Sequence, residues 1–123
     1  MAMKKAGSRS VQRRQKAASS EAARELAVLL RQELPGIGVQ EKFGNLSFSV
    51  GGKVFGFTRG EDAVALKLPA ELVKELAEER GFEALVMGKR VMKEWVVVEC
   101  GARGWRGELG LFREAKWFVS GER

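Results

Sequence analysis

Six cations crowd the first sixteen residues, Lys4, Lys5, Arg9, Arg13, Arg14 and Lys16, with no acid among them. Unopposed Lys and Arg gather polyanions, either by releasing counterions from a phosphate backbone or by attraction to an anionic surface. A second set, Lys89, Arg90, Lys93, Arg103 and Arg106, brackets Trp105 in the last third of the chain. Its cations are suited to neutralising phosphates, and an exposed indole stacks on a base or wedges into a groove. Both sets also have a plain structural reading. The first is then a solubilising terminus, and in the second Trp105 packs beneath the last helix among ordinary surface cations.

Other chemistry is largely excluded by what is missing. The 123 residues contain no histidine, which removes a His general base, Ser-His and Cys-His nucleophile pairs and imidazole metal ligands. The lone Cys100 excludes an intramolecular disulfide, a CxxC pair and a thiolate zinc site, and reads as a small buried hydrophobe. Gly101, Gly104 and Gly107 lack the spacing of a dinucleotide fingerprint, and no glycine run continues into the Lys-Ser/Thr of a phosphate-binding loop. Ser47 and Ser49 lie near Lys53, but a Ser-Lys hydrolase needs that lysine buried and deprotonated. Glu71, Glu75, Glu78 and Glu79 share a helical face without the closely spaced Asp/Asn loop ligands of a hard-cation site. The expectation is a non-enzymatic domain with no cofactor, no metal and no small-molecule substrate.

The charge distribution adds a boundary. The net charge of +6 is accounted for by residues 1–16 alone, leaving 16 basic and 16 acidic side chains in the other 107 residues. Residues 1–16 therefore read as a mobile basic tail, and residues 17–123 as one self-sufficient domain. Within that body, residues 81–123 are the more basic part, with eight cations against six acids. No apolar run reaches the ~18–20 residues of a membrane span, and no signal-peptide pattern follows the N-terminus, so the expected compartment is the cytoplasm.

The elements that must position these residues follow from periodicity and turn chemistry. Ala23, Leu26, Ala27, Leu30 and Leu34 form one face of a helix over 20–34, capped by Ser19 or Ser20 and stopped at Pro35-Gly36. Short strands follow at 39–43, 46–50, 53–58 and 63–68, with turns at Gly44-Asn45, Gly51-Gly52 and Arg59 to Asp62. Leu46, Phe48 and Val50 should face inward. Pro69 should occupy the first turn of a helix that buries Leu72, Val73, Leu76 and Ala77 and ends at Gly81. Strands at 84–87 and 92–99 come next, the latter reading as the most buried, then a glycine loop over 101–107. A last helix over 108–119 should bury Leu109, Leu111, Phe112, Ala115, Phe118 and Val119. The order α-β-β-β-β-α-β-β-α predicts an α+β fold, an antiparallel sheet covered by helices on one face.

Three stretches also carry a family likeness. Lys42 to Phe48 with Val50-Gly51-Gly52-Lys53-Val54-Phe55-Gly56, then Val64 to Leu68, then Gly88-Lys89-Arg90-Val91-Met92-Lys93-Glu94-Trp95-Val96-Val97-Val98, resemble the N-terminal domain of TfoX/Sxy competence regulators and the related MmcQ/YjbR proteins. The segment Leu109 to Val119 looks like the closing helix of the YjbR side. The resemblance covers about residues 20–119. It implies a domain comparable with frataxin-like CyaY, no catalytic residues, and DNA binding through paired wing-like hairpins. The positions that match those wings are Gly51, Gly52 and Lys53, and Lys89, Arg90 and Lys93.

Together these readings predict weak phosphate-backbone binding of DNA or another nucleic acid by the tail and the Lys89 to Lys93 region. The alternative is a protein-interaction module or homodimer, suggested by Trp95, Trp105, Trp117 and the hydrophobic last 30 residues.

Overall fold

Apolar residues three and four apart make the first helix what it is. The computed structural model describes residues 21–100 and 104–122. Helix α1 (Glu21–Glu33) buries Ala23, Leu26, Ala27 and Leu30, and Leu34 just beyond it is equally enclosed. The expected cap at Ser19 or Ser20 and the whole of the basic tail lie outside the described residues.

Four strands follow as antiparallel neighbours, β1 (Gly38–Lys42), β2 (Asn45–Val50), β3 (Lys53–Thr58) and β4 (Ala63–Lys67). The first turn is displaced by one residue from its expected place. Phe43 (φ 52°) and Gly44 (φ 81°) form it, while Asn45 starts β2 opposite Lys42. One of the two-residue hairpin turns whose twist matches the flanking strands has positive φ at both positions. Gly44 adopts that conformation without strain; Phe43 is held in it by the closing strand pair. The β2–β3 turn takes the same form with Gly51 (φ 58°) and Gly52 (φ 81°), as the sequence predicts.

Helix α2 (Ala70–Arg80) begins one residue later than expected, with Pro69 as its N-cap, and Gly81 ends it. Its buried stripe is narrower than the apolar pattern suggests: Val73 and Leu76 are enclosed and Leu72 is half-buried, but Ala77 faces solvent. Strands β5 (Glu83–Met87) and β6 (Arg90–Glu99) form the second hairpin. A short 3-10 turn (Trp105–Glu108) stands where the sequence suggests only loop, and leads into α3 (Leu109–Ser120). In α3, Leu109, Phe112 and Ala115 are buried as expected. Leu111 and Val119 are only half-buried, and Phe118 is exposed.

The six strands of the described residues make one antiparallel sheet in the order β1-β2-β3-β4-β6-β5. One apolar cluster joins Leu26 and Leu30 of α1, Val73 and Leu76 of α2 and Phe112 of α3 to Phe48, Leu66, Val96 and Val98 of the sheet. The described residues thus form an α+β fold whose three helices share one sheet face. The most enclosed strand is β4, with Val64, Ala65 and Leu66 all at 0% exposure, and not the 92–99 segment. The reason is topological. β4 is central, whereas the ladder between β4 and β6 stops at Lys67 opposite Trp95, so β6 residues 90–93 run on beyond it. Cys100 is half-buried; its N–H donates to the Asp62 carbonyl at 2.7 Å, tying the end of β6 to the β3–β4 turn.

Candidate nucleic-acid interface

Strand direction decides which cations meet. In this ladder the β2–β3 turn, the C-terminal end of β4 and the β5–β6 turn fall at one end of the sheet. The β1–β2 turn, the β3–β4 turn and the C-terminal end of β6 fall at the other. Lys53 follows the first of these turns, Lys89 lies in the β5–β6 turn, and Arg90 and Lys93 lead out of it. All four are exposed at the same end.

The β5–β6 hairpin is a projecting ribbon. It is closed by the pairs Met87↔Arg90 and Val86↔Val91, both beyond the last β4 pair. Where it leaves the sheet, a groove of about 520 Å³ is lined by Lys67, Arg90, Met92, Lys93, Glu94 and Trp95. The ammonium of Lys67 lies 5.9 Å from the centre of the Trp95 ring, and Trp95 meets Phe57 at 5.4 Å between ring centroids. This aromatic pair occupies the sheet face opposite the helices. Guanidinium and ammonium groups beside a half-buried indole can bind phosphate oxygens and offer a ring face to a base.

Lys67 is the residue that sequence reasoning missed, and it treated Trp95 only as a candidate for protein contact. Alternation along Ala63-Val64-Ala65-Leu66-Lys67 places Lys67 on the sheet face opposite Val64 and Leu66. Its neighbour across the ladder is Trp95, 28 residues later in the chain, and no local signal names that partner.

The remaining sequence candidates go elsewhere. Trp105 lies at the opposite end, in a groove with Glu61 and Asp62 of the β3–β4 turn. Its ring meets Phe112 edge-on at 5.8 Å, so it packs under the last helix and does not project. Arg106 reaches Glu33 at 3.9 Å, and Arg113 meets the same carboxylate at 3.4 Å. Arg103, like Lys4, Lys5, Arg9, Arg13, Arg14 and Lys16, lies outside the described residues. The Ser47 hydroxyl donates to the Gln40 carbonyl at 3.4 Å, while Lys53 is solvent-exposed. Glu71, Glu75, Glu78 and Glu79 are exposed along α2, and among the described residues no three acids or thiols converge as metal ligands. No described helix is long and apolar enough to cross a membrane.

No protein-family model matches the chain, and neither does any curated protein. Among solved structures it is similar to the crystal structure of a protein from Pseudomonas syringae, determined as a structural-genomics target. The two share 17% sequence identity with a TM-score of 0.57, over 78% of this chain and 97% of the other. At that identity the likeness is one of fold.

Proposed function

We propose that this protein binds nucleic acid through the phosphate backbone, as a non-catalytic, regulatory domain of the TfoX-N/YjbR kind. The observation that carries the reading is the convergence of Lys53, Lys89, Arg90 and Lys93 on one end of the sheet, on two hairpins separated in sequence. Three interstrand steps separate the hairpin axes, roughly 14 Å, close to the ~12 Å width of the major groove of a duplex. Each hairpin thus reaches one of the phosphate strands that border a groove. Lys67 widens the cationic surface at the base of the ribbon. Glu94, in the same groove, and Glu71, in the first turn of α2, oppose it and keep binding weak. Cations on backbone phosphates orient a protein without reading sequence, so binding is largely sequence-independent. Lys4 to Lys16 add affinity by counterion release.

Fluorescence anisotropy of the full chain on a labelled duplex, across a salt series, tests this. Replacing Lys53, Lys89, Arg90 and Lys93 together by Ala flattens the slope of log affinity against log salt by about 0.9 for each phosphate no longer neutralised. A second variant with the six tail cations changed to Gln keeps a residual slope that belongs to the body. Unchanged affinity and slope in the first variant would remove the hairpins from the interface.

A further inference from the structure

We propose that β5 is a self-pairing edge: two copies of this chain join antiparallel through their β5 strands, with Val86 on the two-fold axis. This surface adjoins the groove beside Trp95 at Val91 and shares Lys89 with the cationic end of the sheet.

The edge itself motivates the inference. Among the described residues β5 ends the sheet and pairs only with β6. Natural sheets blunt such edges with lysine, proline or a bulge that twists the strand away. Residues 85–87 (Leu-Val-Met) have no charge and no proline, and the only register shift lies before them, between Ala84 and Leu85. Val86, Met87 and Val91 nonetheless stand 53%, 52% and 59% exposed. The other edge, β1, is protected by the charges of Glu41 and Lys42.

Backbone geometry limits the register. Met87 and Arg90 flank a two-residue turn, so they form the pair that exchanges both hydrogen bonds with each other. Leu85 and Met87 therefore direct their N–H and C=O groups towards β6, and Val86 directs its own away from the sheet. With Val86 on the two-fold axis, the two Val86 residues exchange both hydrogen bonds. Because Val86 also pairs with Val91, the side chains line up as Val91-Val86-Val86-Val91 across the joined sheets, a continuous apolar row. Leu85 falls opposite Met87 of the second copy on the other face.

The same register is electrically self-complementary. Three residues before Val86 is Glu83 and three after it, in the turn where the chain leaves β5 for β6, is Lys89, so each Glu83 lies at the same end of the joined edges as the second copy's Lys89, twice by symmetry. Both side chains are exposed, and neither makes an ion pair among the described residues. Arg90 and Lys93 stay outside these pairs. A second copy thus satisfies the outward backbone groups, the exposed valines and both charges together.

Sedimentation equilibrium of the full chain, from low micromolar to submillimolar concentration and without nucleic acid, decides this independently of duplex binding. The expected result is a concentration-dependent monomer–dimer equilibrium. Val86→Lys gives the monomer mass throughout, with circular dichroism unchanged because the site is exposed. Glu83→Lys and Lys89→Glu, each alone, weaken the dimer about tenfold by replacing two attractions with two repulsions, and the double variant restores it. A wild-type chain that is monomeric at every concentration, a dimer that survives Val86→Lys, or a double reversal without recovery would each overturn the proposal.

Discussion

The guanidinium of Arg80 grips the carboxylate of Glu108 through two hydrogen bonds of 2.8 and 2.7 Å, joining the end of α2 to the turn that launches α3. The Glu108 side chain is 6% exposed, Arg80 is 43% exposed, and the guanidinium also lies over Phe82 at 4.6 Å. A buried carboxylate is tolerated there because a fork of donors satisfies both its oxygens.

The two partners should respond unequally to substitution. Arg80→Met strands a buried carboxylate and costs about 3 kcal/mol or more. Glu108→Gln leaves a cation that water can reach and costs nearer 1.5 kcal/mol. Urea unfolding measures both as midpoint shifts at constant slope. Hydrogen bonding to Glu108 raises the Arg80 pKa above its ordinary value, Coulomb attraction by the same carboxylate adds to it, and desolvation opposes. A raised folded-state pKa contributes stability that is complete below the unfolded value and lost only as pH climbs through the folded one. The Arg80 side of the pair is therefore constant through neutral and mildly alkaline pH.

Phe43 is 94% exposed with φ 52°. Its ring contributes little to burial while its backbone occupies a region that bulky residues avoid. Phe43→Asn installs the Asn-Gly pair that this turn prefers, and should raise stability by about 0.5–1 kcal/mol. Thermal unfolding would show a higher midpoint; a lower one would mean that the ring has a contact the turn depends on.

Thr58 is 3% exposed, accepts a hydrogen bond from the Leu46 N–H at 2.9 Å and donates to Asn45 Oδ1 at 3.3 Å. Thr58→Val keeps the shape but leaves the Leu46 donor buried without a partner, at about 1–3 kcal/mol. Hydrogen exchange at the Leu46 amide should accelerate with the loss of stability.

Opposite ends of the sheet should differ in nucleic-acid binding. Arg90→Ala lowers the salt slope by about 1, whereas Arg106→Ala, a residue paired with Glu33 away from the hairpin tips, leaves slope and affinity unchanged. Anisotropy titrations at several salt concentrations compare the two directly.

Local signals were the most legible. Gly51-Gly52, Pro69 and Gly81 punctuate the chain through dihedral preferences that act within a few residues, and the stripe from Ala23 to Leu34 shows its helical period without outside help. Errors gathered where burial depends on neighbours from elsewhere in the chain. Ala77 and Phe118 have the right spacing for their helix stripes but lie at the margins of the contact with the sheet. In the 92–99 segment the β-branched and aromatic residues, Trp95 to Val98, do pair with β4, but Met92 and Lys93 before them have no β4 residue beside them.

The sequence by itself determined the order of elements, the positions of most turns, the α+β class and the exclusion of histidine and multi-cysteine chemistry, because residue type and short-range periodicity settle those. Only the tertiary structure decided that β6 returns to pair with β4. Interstrand hydrogen bonding is nearly indifferent to side-chain identity, so several apolar strands compete for the same neighbour until the whole core is packed. That one pairing set Lys67 beside Trp95, left the β5–β6 ribbon projecting with its edge open, and parted Lys89, Arg90 and Lys93 from Trp105 and Arg106.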